Sequence, residues 1–141
     1  TASAVGADGV ILIGPSADPH DPVAVKASMG AIFTVPVVLA SSAAQFLNWA
    51  RAGGARIAAT SARGSVSCWD ADLAPPLVVL LGSEGAGLPD DLLAAADLRV
   101  AIPMTGTAES LNLAVAAGVL LYEVRRRTGL AGRAGARSPG Q

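Results

Sequence analysis

The stretch LVVLLGSEGAGLPDDLLAAADLRVAIP, residues 77–103, contains a complete strand–loop–helix–strand pattern. Its two apolar runs are short, rich in Val, Ile and Leu, and not alternating, which is typical of strands buried on both faces. Pro89 suits a first helical position, and Asp90 and Asp91 complement the positive end of a helix dipole. The stretch therefore predicts a unit in which two parallel strands flank a helix.

The same alternation recurs along the rest of the chain. Further strands are predicted at 8–14, 35–40 and 55–60, and further helices at 22–33, 41–54 and 110–127. Ser41 or Ser42 can cap the second of these helices, and Gly53-Gly54 can end it. The pattern predicts one α/β domain over residues 1–128, built on a parallel sheet with helices on both faces. Residues 129–141, rich in Gly, Arg and Pro, are predicted to form a flexible tail.

Composition narrows the classes of function. The net charge of −1 gives no general support for nucleic-acid binding, although five arginines follow Glu123 with no acidic residue after it. This basic run can either contact phosphates or form a solvated helix end. One cysteine and one histidine cannot make a structural zinc site, so no metal is expected. The lone Cys68 favours a reducing, cytoplasmic setting, and no apolar run approaches a membrane span.

The glycine loop GSEGAGL, residues 82–88, differs from the known phosphate-binding loops. It lacks the lysine and the following hydroxyl of a P-loop, and its glycine order and late position do not fit a dinucleotide fingerprint. Glu84 inside the loop would repel a phosphate. Two interpretations of the loop stay open: it holds a neutral or cationic ligand against its backbone, or it is a tight turn with an exposed glutamate.

Three motifs in sequence, GSEGAG, then IPM, then SLN followed by an apolar helix of small residues, carry a resemblance to a known family. Over residues 2–127 the chain resembles the SpoU (TrmH) family of RNA ribose 2′-O-methyltransferases, part of the SPOUT superfamily. The resemblance implies a SPOUT-type α/β knot, in which the C-terminal segment forms a deep trefoil knot. It also implies that S-adenosylmethionine, a sulfonium cofactor without phosphate, binds bent among the knot loops.

The family pattern assigns cofactor contacts to five positions of this chain. Gly82, Ile102 and Leu111 match positions that hold the adenine and ribose, largely through backbone atoms. Thr60 and Met104 match positions that add to the same pocket. The alternative for Ile102 and Leu111 is simple core packing.

The reaction centre that the resemblance implies comprises Glu84, Ser110 and Asn112. A ribose 2′-hydroxyl is a weak nucleophile that must lose its proton as it attacks the sulfonium methyl in line. The amide and hydroxyl side chains can orient the ribose or a nearby arginine, and Glu84 can pair with that arginine. Ser110 can instead, or in addition, cap the last helix.

The chain departs from the family at its first signature motif, N-x-G-x-x-x-R-[TS]-A. It opens with TASAVGADGVIL, which matches the segment directly after the arginine of that motif. We therefore expect the activating arginine just before Thr1, and the first strand and any N-terminal RNA-binding extension outside residues 1–141. Residues 1–141 alone are expected to bind the cofactor at best and to transfer little or no methyl.

The resemblance implies a homodimeric enzyme that methylates a ribose 2′-hydroxyl, with ribosomal RNA as the first substrate and transfer RNA as the second. The apolar face of residues 111–122 is expected to form the dimer interface. Two alternatives stay open: a non-catalytic knotted module for RNA binding or assembly, and a SPOUT enzyme that methylates a base nitrogen, against which the SLN motif argues. Housekeeping modification and antibiotic resistance are both compatible with the sequence.

Overall fold

The structure is a computed structural model that describes residues 1–16 and 18–129. The helices are α1 (Ala2–Val5), α2 (Pro22–Ala27), α3 (Ala43–Ala52), α4 (Asp90–Ala95) and α5 (Leu113–Arg127), with a short 3₁₀ helix at Ala31–Phe33. The strands are β1 (Val10–Ile13), β2 (Val37–Ala40), β3 (Arg56–Thr60), β4 (Val66–Ser67), β5 (Leu77–Leu80) and β6 (Leu98–Ala101). The predicted flexible tail lies outside the described residues except for residue 129.

Every strand pair in the structure is parallel, which confirms the predicted sheet type. Four strands form a sheet in the order β4-β6-β3-β5, and β1 and β2 pair separately. All the strands predicted from the sequence are present, and the two-residue β4 is an addition to them. The C-terminal knot stays a prediction.

Helices pack on both faces of the four-stranded sheet, as predicted. Ile57 and Ala59 of β3 belong to one buried cluster with Phe46 of α3 and Leu92 of α4. Ala58, the residue between them, belongs to a second cluster that contains Leu120 of α5, Val100, Cys68 and Leu73. Successive side chains of a strand point to opposite faces, so this division places α3 and α4 on one side of β3 and α5 on the other.

Several helix boundaries differ from the predicted ones for local reasons. The helix predicted over 22–33 ends at Ala27, because Met29 and Gly30 adopt left-handed φ angles of 52° and 80°. Pro89 is the N-cap of α4 rather than its first helical residue. Ser42 caps α3 through its side chain, as predicted, and Gly54 beyond its end is left-handed.

The last helix begins at Leu113 rather than Ser110, because the side chain of Asn112 provides its N-cap. Only part of the apolar surface of this helix is buried within the chain. Leu120 lies in the core, whereas Val115 and Tyr122 are 52% and 56% exposed. Within the described residues, α5 and every other helix are too short or too polar to cross a membrane.

Candidate functional site

Three of the residues predicted to bind a cofactor lie at one edge of the sheet. Thr60 is the last residue of β3, Gly82 follows β5 by two positions, and Ile102 comes directly after β6. Because β3 lies between β6 and β5 and all three strands are parallel, their carboxyl ends meet at the same edge. This carboxyl edge is where open α/β sheets bind ligands.

The glycine loop folds back on its own start. Ser83 and Gly87 exchange two backbone hydrogen bonds, of 3.1 and 2.9 Å, and Gly85 and Gly87 adopt left-handed φ angles of 87° and 71°. A Cβ atom on Gly82 would lie 2.2 Å from the carbonyl carbon of Gly87 and 2.4 Å from the amide nitrogen of Leu88. A side chain at 82 would therefore force the loop open, so the residue type is fixed by close backbone packing.

The same loop brings two of the predicted reaction-centre residues together. The amide Nδ2 of Asn112 donates to Oε1 of Glu84 at 2.7 Å, and the backbone N–H of Leu113 donates to the same oxygen at 3.4 Å. The other end of the Asn112 amide, Oδ1, accepts from the backbone N–H groups of Ala114 and Val115. Asn112 thus caps α5 and at the same time fixes the carboxylate of Glu84 at the positive end of the helix.

The remaining predicted residues line the segment between β6 and α5. Ile102 is half-buried and packs against the cluster around Leu120, so the alternative interpretation of this residue, core packing, applies at least in part. Met104 and Leu111 are 39% and 36% exposed, which leaves both side chains partly open to a ligand. Ser110 is exposed, and the described residues give it no hydrogen bond to Glu84 or Asn112. The alternative role of Ser110 as helix cap is wrong, because α5 begins at Leu113 and its N-cap is Asn112, whose side chain accepts from the N–H groups of Ala114 and Val115.

A loop that sequence reasoning missed closes the edge beside Thr60. The backbone N–H of Ser61 donates to the carbonyl oxygen of Val100 at 3.0 Å, and a Cβ atom on Gly64 would lie 2.5 Å from the backbone of Ala101. Residues 61–65 are therefore held against the end of β6, next to Ile102. The one sequence signal for this contact is Gly64 itself, since a glycine permits close backbone approach.

A second carboxylate, Glu123, lies near the opposite end of α5 and is only 6% exposed. Arg126 binds it with two hydrogen bonds of 2.8 Å, and the Nε of Arg127 donates to it at 2.6 Å. These hydrogen bonds, first from Arg126 and then from Arg127, lower the pKa of Glu123 to about 2. Arg126 and Arg127, both from the basic run, therefore form ion pairs with Glu123. Arg133 and Arg137 of the same run lie outside the described residues.

Cys68 is fully buried beside this network. Burial, followed by the nearby charge of Glu123, raises the pKa of its thiol, so the side chain stays protonated and packs as a small apolar group. No group of three metal-ligating side chains gathers anywhere in residues 1–16 and 18–129.

Comparison with known proteins places these features in a family. The model of the SpoU rRNA methylase family matches residues 1–122. A 23S rRNA (uridine(2479)-2′-O)-methyltransferase of Streptomyces viridochromogenes is 39% identical over 132 residues, which are 90% of this chain and 46% of that protein. The chain spans about half the length of the curated relatives it matches.

Solved structures agree with that assignment. An AdoMet-bound rRNA methyltransferase of Sinorhizobium meliloti superposes with a TM-score of 0.85 and 42% identity, covering 89% of this chain and 48% of that one. A protein whose structure was solved to study the 2-OH methylation of C/U34 on tRNA superposes with a TM-score of 0.81 and 36% identity. This chain covers 83% of that protein, so the shared region is nearly the whole of the smaller relative.

Proposed function

Because this chain belongs to the SpoU rRNA methylase family, we propose that it forms the catalytic domain of an S-adenosylmethionine-dependent RNA 2′-O-methyltransferase. The single observation that carries the proposal is the contact between Glu84 and Asn112, 28 positions apart in sequence and joined at 2.7 Å. It links the glycine loop to the start of α5 at the carboxyl edge, where a substrate would have to lie.

The residues at this edge fit the chemistry of the cofactor. Its adenosine would lie against backbone groups of the glycine loop and the 102–111 segment, in a space that a side chain at Gly82 would close. Ile102, Met104 and Leu111 offer apolar surface to the adenine, and Thr60 closes the pocket beside β3. When bound, the cofactor supplies an electrophilic methyl group on a positively charged sulfur.

The protein side chains at the start of α5 would prepare the acceptor. During transfer a bond forms between the ribose 2′ oxygen and the methyl carbon, the bond from carbon to sulfur breaks, and the 2′-hydroxyl releases its proton. Both hydrogen bonds to Glu84 recorded for the described residues end on Oε1, so its second oxygen can accept from a further donor. An arginine paired there would lie next to the 2′-hydroxyl, and Ser110 would orient the ribose.

That arginine is expected immediately before Thr1, and the position of α1 supports this part of the proposal. A Cβ atom on Gly118 of α5 would lie 4.0 Å from Cγ2 of Thr1, so α1 starts beside α5. Gly118 is six residues after Asn112, which is roughly 9 Å along a helix axis. A residue just before Thr1 would therefore enter beside α5, on the same helix that Asn112 caps.

We further propose a homodimer, a knotted C-terminal segment, and action on ribosomal RNA in the cytoplasm. The exposed apolar side chains of α5, including Val115 and Tyr122, would pack against the partner. Relatives named for 23S rRNA support ribosomal RNA as the first substrate. The relative named for position 34 of tRNA keeps transfer RNA as the second candidate.

The proposal is tested by methyl transfer with the full-length protein. The protein is incubated with S-adenosylmethionine carrying a labelled methyl group and with unmodified ribosomal RNA or transfer RNA, and the digested nucleosides are analysed by mass spectrometry. A 2′-O-methyl nucleoside, absent when Glu84 is replaced by alanine, is the expected product. A base-methylated product would instead identify a base-nitrogen methyltransferase, and cofactor binding without any product would favour the RNA-binding module.

A further inference from the structure

The guanidinium of Arg127 donates four hydrogen bonds, more than any other side chain in the described part of the protein. Its Nε donates to Glu123, Nη1 donates to the carbonyl oxygen of Ala71 at 2.5 Å, and Nη2 donates to those of Cys68, at 3.2 Å, and Trp69. All three nitrogens of one side chain therefore have acceptors, and three of those acceptors belong to one loop. Only the planar fork of an arginine provides this number of donors.

The loop that Arg127 binds turns sharply and directs its carbonyl groups toward α5. The backbone N–H groups of Asp70 and Ala71 both donate to the carbonyl oxygen of Ser67, at 3.0 and 2.9 Å. Cys68 and Ala71 are almost completely buried, so their carbonyl groups need internal donors. Arg127 supplies those donors, and buried Glu123 balances its charge.

This loop also bounds the carboxyl edge. Ser67 pairs with Ala101 in the ladder between β4 and β6, and the backbone N–H of Cys68 donates to the carbonyl oxygen of Ala101 at 2.8 Å. The next residue after Ala101 is Ile102, which packs on the cluster that contains Cys68. One chain of direct contacts thus connects Arg127 to Ile102 through Cys68 and Ala101.

We propose that Arg127 is a positioning residue, which holds the Cys68–Ala71 loop against the end of β6 and so fixes the Ile102 wall of the cofactor site. The part that concerns the cofactor rests on the proposed function. The part that concerns the loop rests only on the hydrogen bonds of Arg127.

Arg126 provides a matched control for this role. It binds the same carboxylate of Glu123 with two hydrogen bonds, but its recorded bonds go to Glu123 alone. Replacing either arginine by glutamine removes one positive charge from the same ion pair. Only replacement of Arg127 also removes the donors to the carbonyl groups of Cys68, Trp69 and Ala71.

The test measures two properties of the full-length protein and of its Arg127→Gln, Arg127→Lys and Arg126→Gln variants. Hydrogen exchange reports the opening of the amides of Cys68 and of residues 69–73, and calorimetric titration reports the Kd for S-adenosylhomocysteine. For Arg127→Gln we expect both the exchange rate of the Cys68 amide and the Kd to rise by about tenfold, the scale of one lost charge-assisted hydrogen bond. Arg127→Lys, which restores a positive donor without the fork, should fall between this variant and the wild type.

Arg126→Gln should leave both quantities within about twofold of the wild type, a small change on the scale of a surface ion pair. A Kd that is unchanged in Arg127→Gln, or raised equally in both glutamine variants, would overturn the positioning role. Unchanged exchange at Cys68 would overturn it as well. Failure of the wild-type protein to bind the ligand would contradict the proposed function, whereas the exchange rates would still measure whether Arg127 holds the loop.

Discussion

A glutamate carboxylate lies near each end of α5, and the two differ in almost every physical respect. Glu84 is exposed, and its recorded hydrogen bonds come from Asn112 and from one backbone N–H. Glu123 is 6% exposed and accepts three hydrogen bonds from two arginines. The helix therefore has one end where the acid is open to further partners and one end where it is enclosed.

The difference separates two uses of the same side chain. Glu123 is nearly buried and most of its acceptor sites are taken by arginines, so it is poorly placed to bind a substrate. It balances the charge of Arg127, which joins α5 to the Cys68–Ala71 loop. A carboxylate held on one oxygen at an accessible edge keeps capacity for another donor. We infer that the Glu84 end serves the reaction and that the Glu123 end serves the fold, and substitutions at the two ends should separate these roles.

The largest effect is expected from Gly82→Ala at the open end. The added Cβ would lie 2.2 Å from the backbone of Gly87, so the glycine loop, which contains Glu84, must open and lose its shape at the carboxyl edge. We expect loss of saturable S-adenosylhomocysteine binding in calorimetry. Gly53→Ala is the matched control, because Gly53 lies at the end of α3 and its new Cβ would make only ordinary contacts, of 3.6 and 3.8 Å, with backbone oxygens; equal loss of binding, or equal binding, in both variants would contradict the role of the loop.

Replacement of the open carboxylate by its amide, Glu84→Gln, should reduce methyl transfer by roughly a hundredfold, the usual scale for losing a positioned charged group in a reaction centre. The amide oxygen can still accept from Asn112, so the melting temperature should stay close to that of the wild type. Initial rates with labelled cofactor and thermal unfolding measure the two effects. Equal activity with unchanged stability would remove Glu84 from the reaction centre.

The two functions of Asn112 can be separated by the choice of replacement. Serine keeps an oxygen that caps α5 but loses the amide donor to Glu84, so Asn112→Ser should keep its stability and lose about tenfold or more in methyl transfer. Asn112→Ala should lose the same activity and, in addition, about 1 kcal/mol of unfolding free energy from the missing cap. Unfolding in urea and initial rates, measured side by side, check the pair. Normal activity in Asn112→Ser would show that capping is its sole role.

Glu123→Gln at the enclosed end is expected to have the smallest effect on methyl transfer. It should instead change how the melting temperature depends on pH. Hydrogen bonds from Arg126 and Arg127 lower the folded-state pKa of Glu123 from 4.5 to about 2. A depressed pKa means that the carboxylate adds stability above pH 4.5, and that this contribution is lost as the pH falls toward 2. Wild type should therefore melt several degrees above Glu123→Gln at neutral pH, and the two curves should converge between pH 4.5 and pH 2.

Glu109→Gln serves as the control for that series, since Glu109 is an exposed acid outside the ion pair. A constant gap between wild type and Glu123→Gln down to about pH 2 would mean that the amide damages packing instead of removing a paired charge.

Much of the fold could be predicted because its signals are local. Buried strands of Val, Ile and Leu, separated by cappable helices, are sufficient to indicate a parallel sheet with helices on both faces. The end of α2 was not predicted because nothing in the local sequence indicates that Met29, a residue without special turn preference, adopts a left-handed φ. The two-residue β4 escaped because its pairing with β6 is a tertiary contact that leaves no periodicity.

The candidate site shows the same division. Motif order identified Gly82, Glu84 and Asn112, which the structure brings to one edge. The cap provided by Asn112 was missed, because Ser110 is also a good capping residue and lies only two positions earlier. The contact of Asn112 with Glu84 left no local signal, since the two residues are far apart in sequence. The hydrogen bonds from Arg127 to three backbone carbonyl groups could not be predicted either, since backbone acceptors carry no sequence signature.

Calorimetric titration of this chain with S-adenosylmethionine, alongside the variant Leu111→Arg, tests directly whether the carboxyl edge holds the cofactor. We expect saturable binding at one site per protomer, abolished when a long charged side chain replaces Leu111 at the start of α5. A folded sample that binds nothing, or a Leu111→Arg variant that binds as tightly as the wild type, would contradict the assignment of the cofactor to the carboxyl edge.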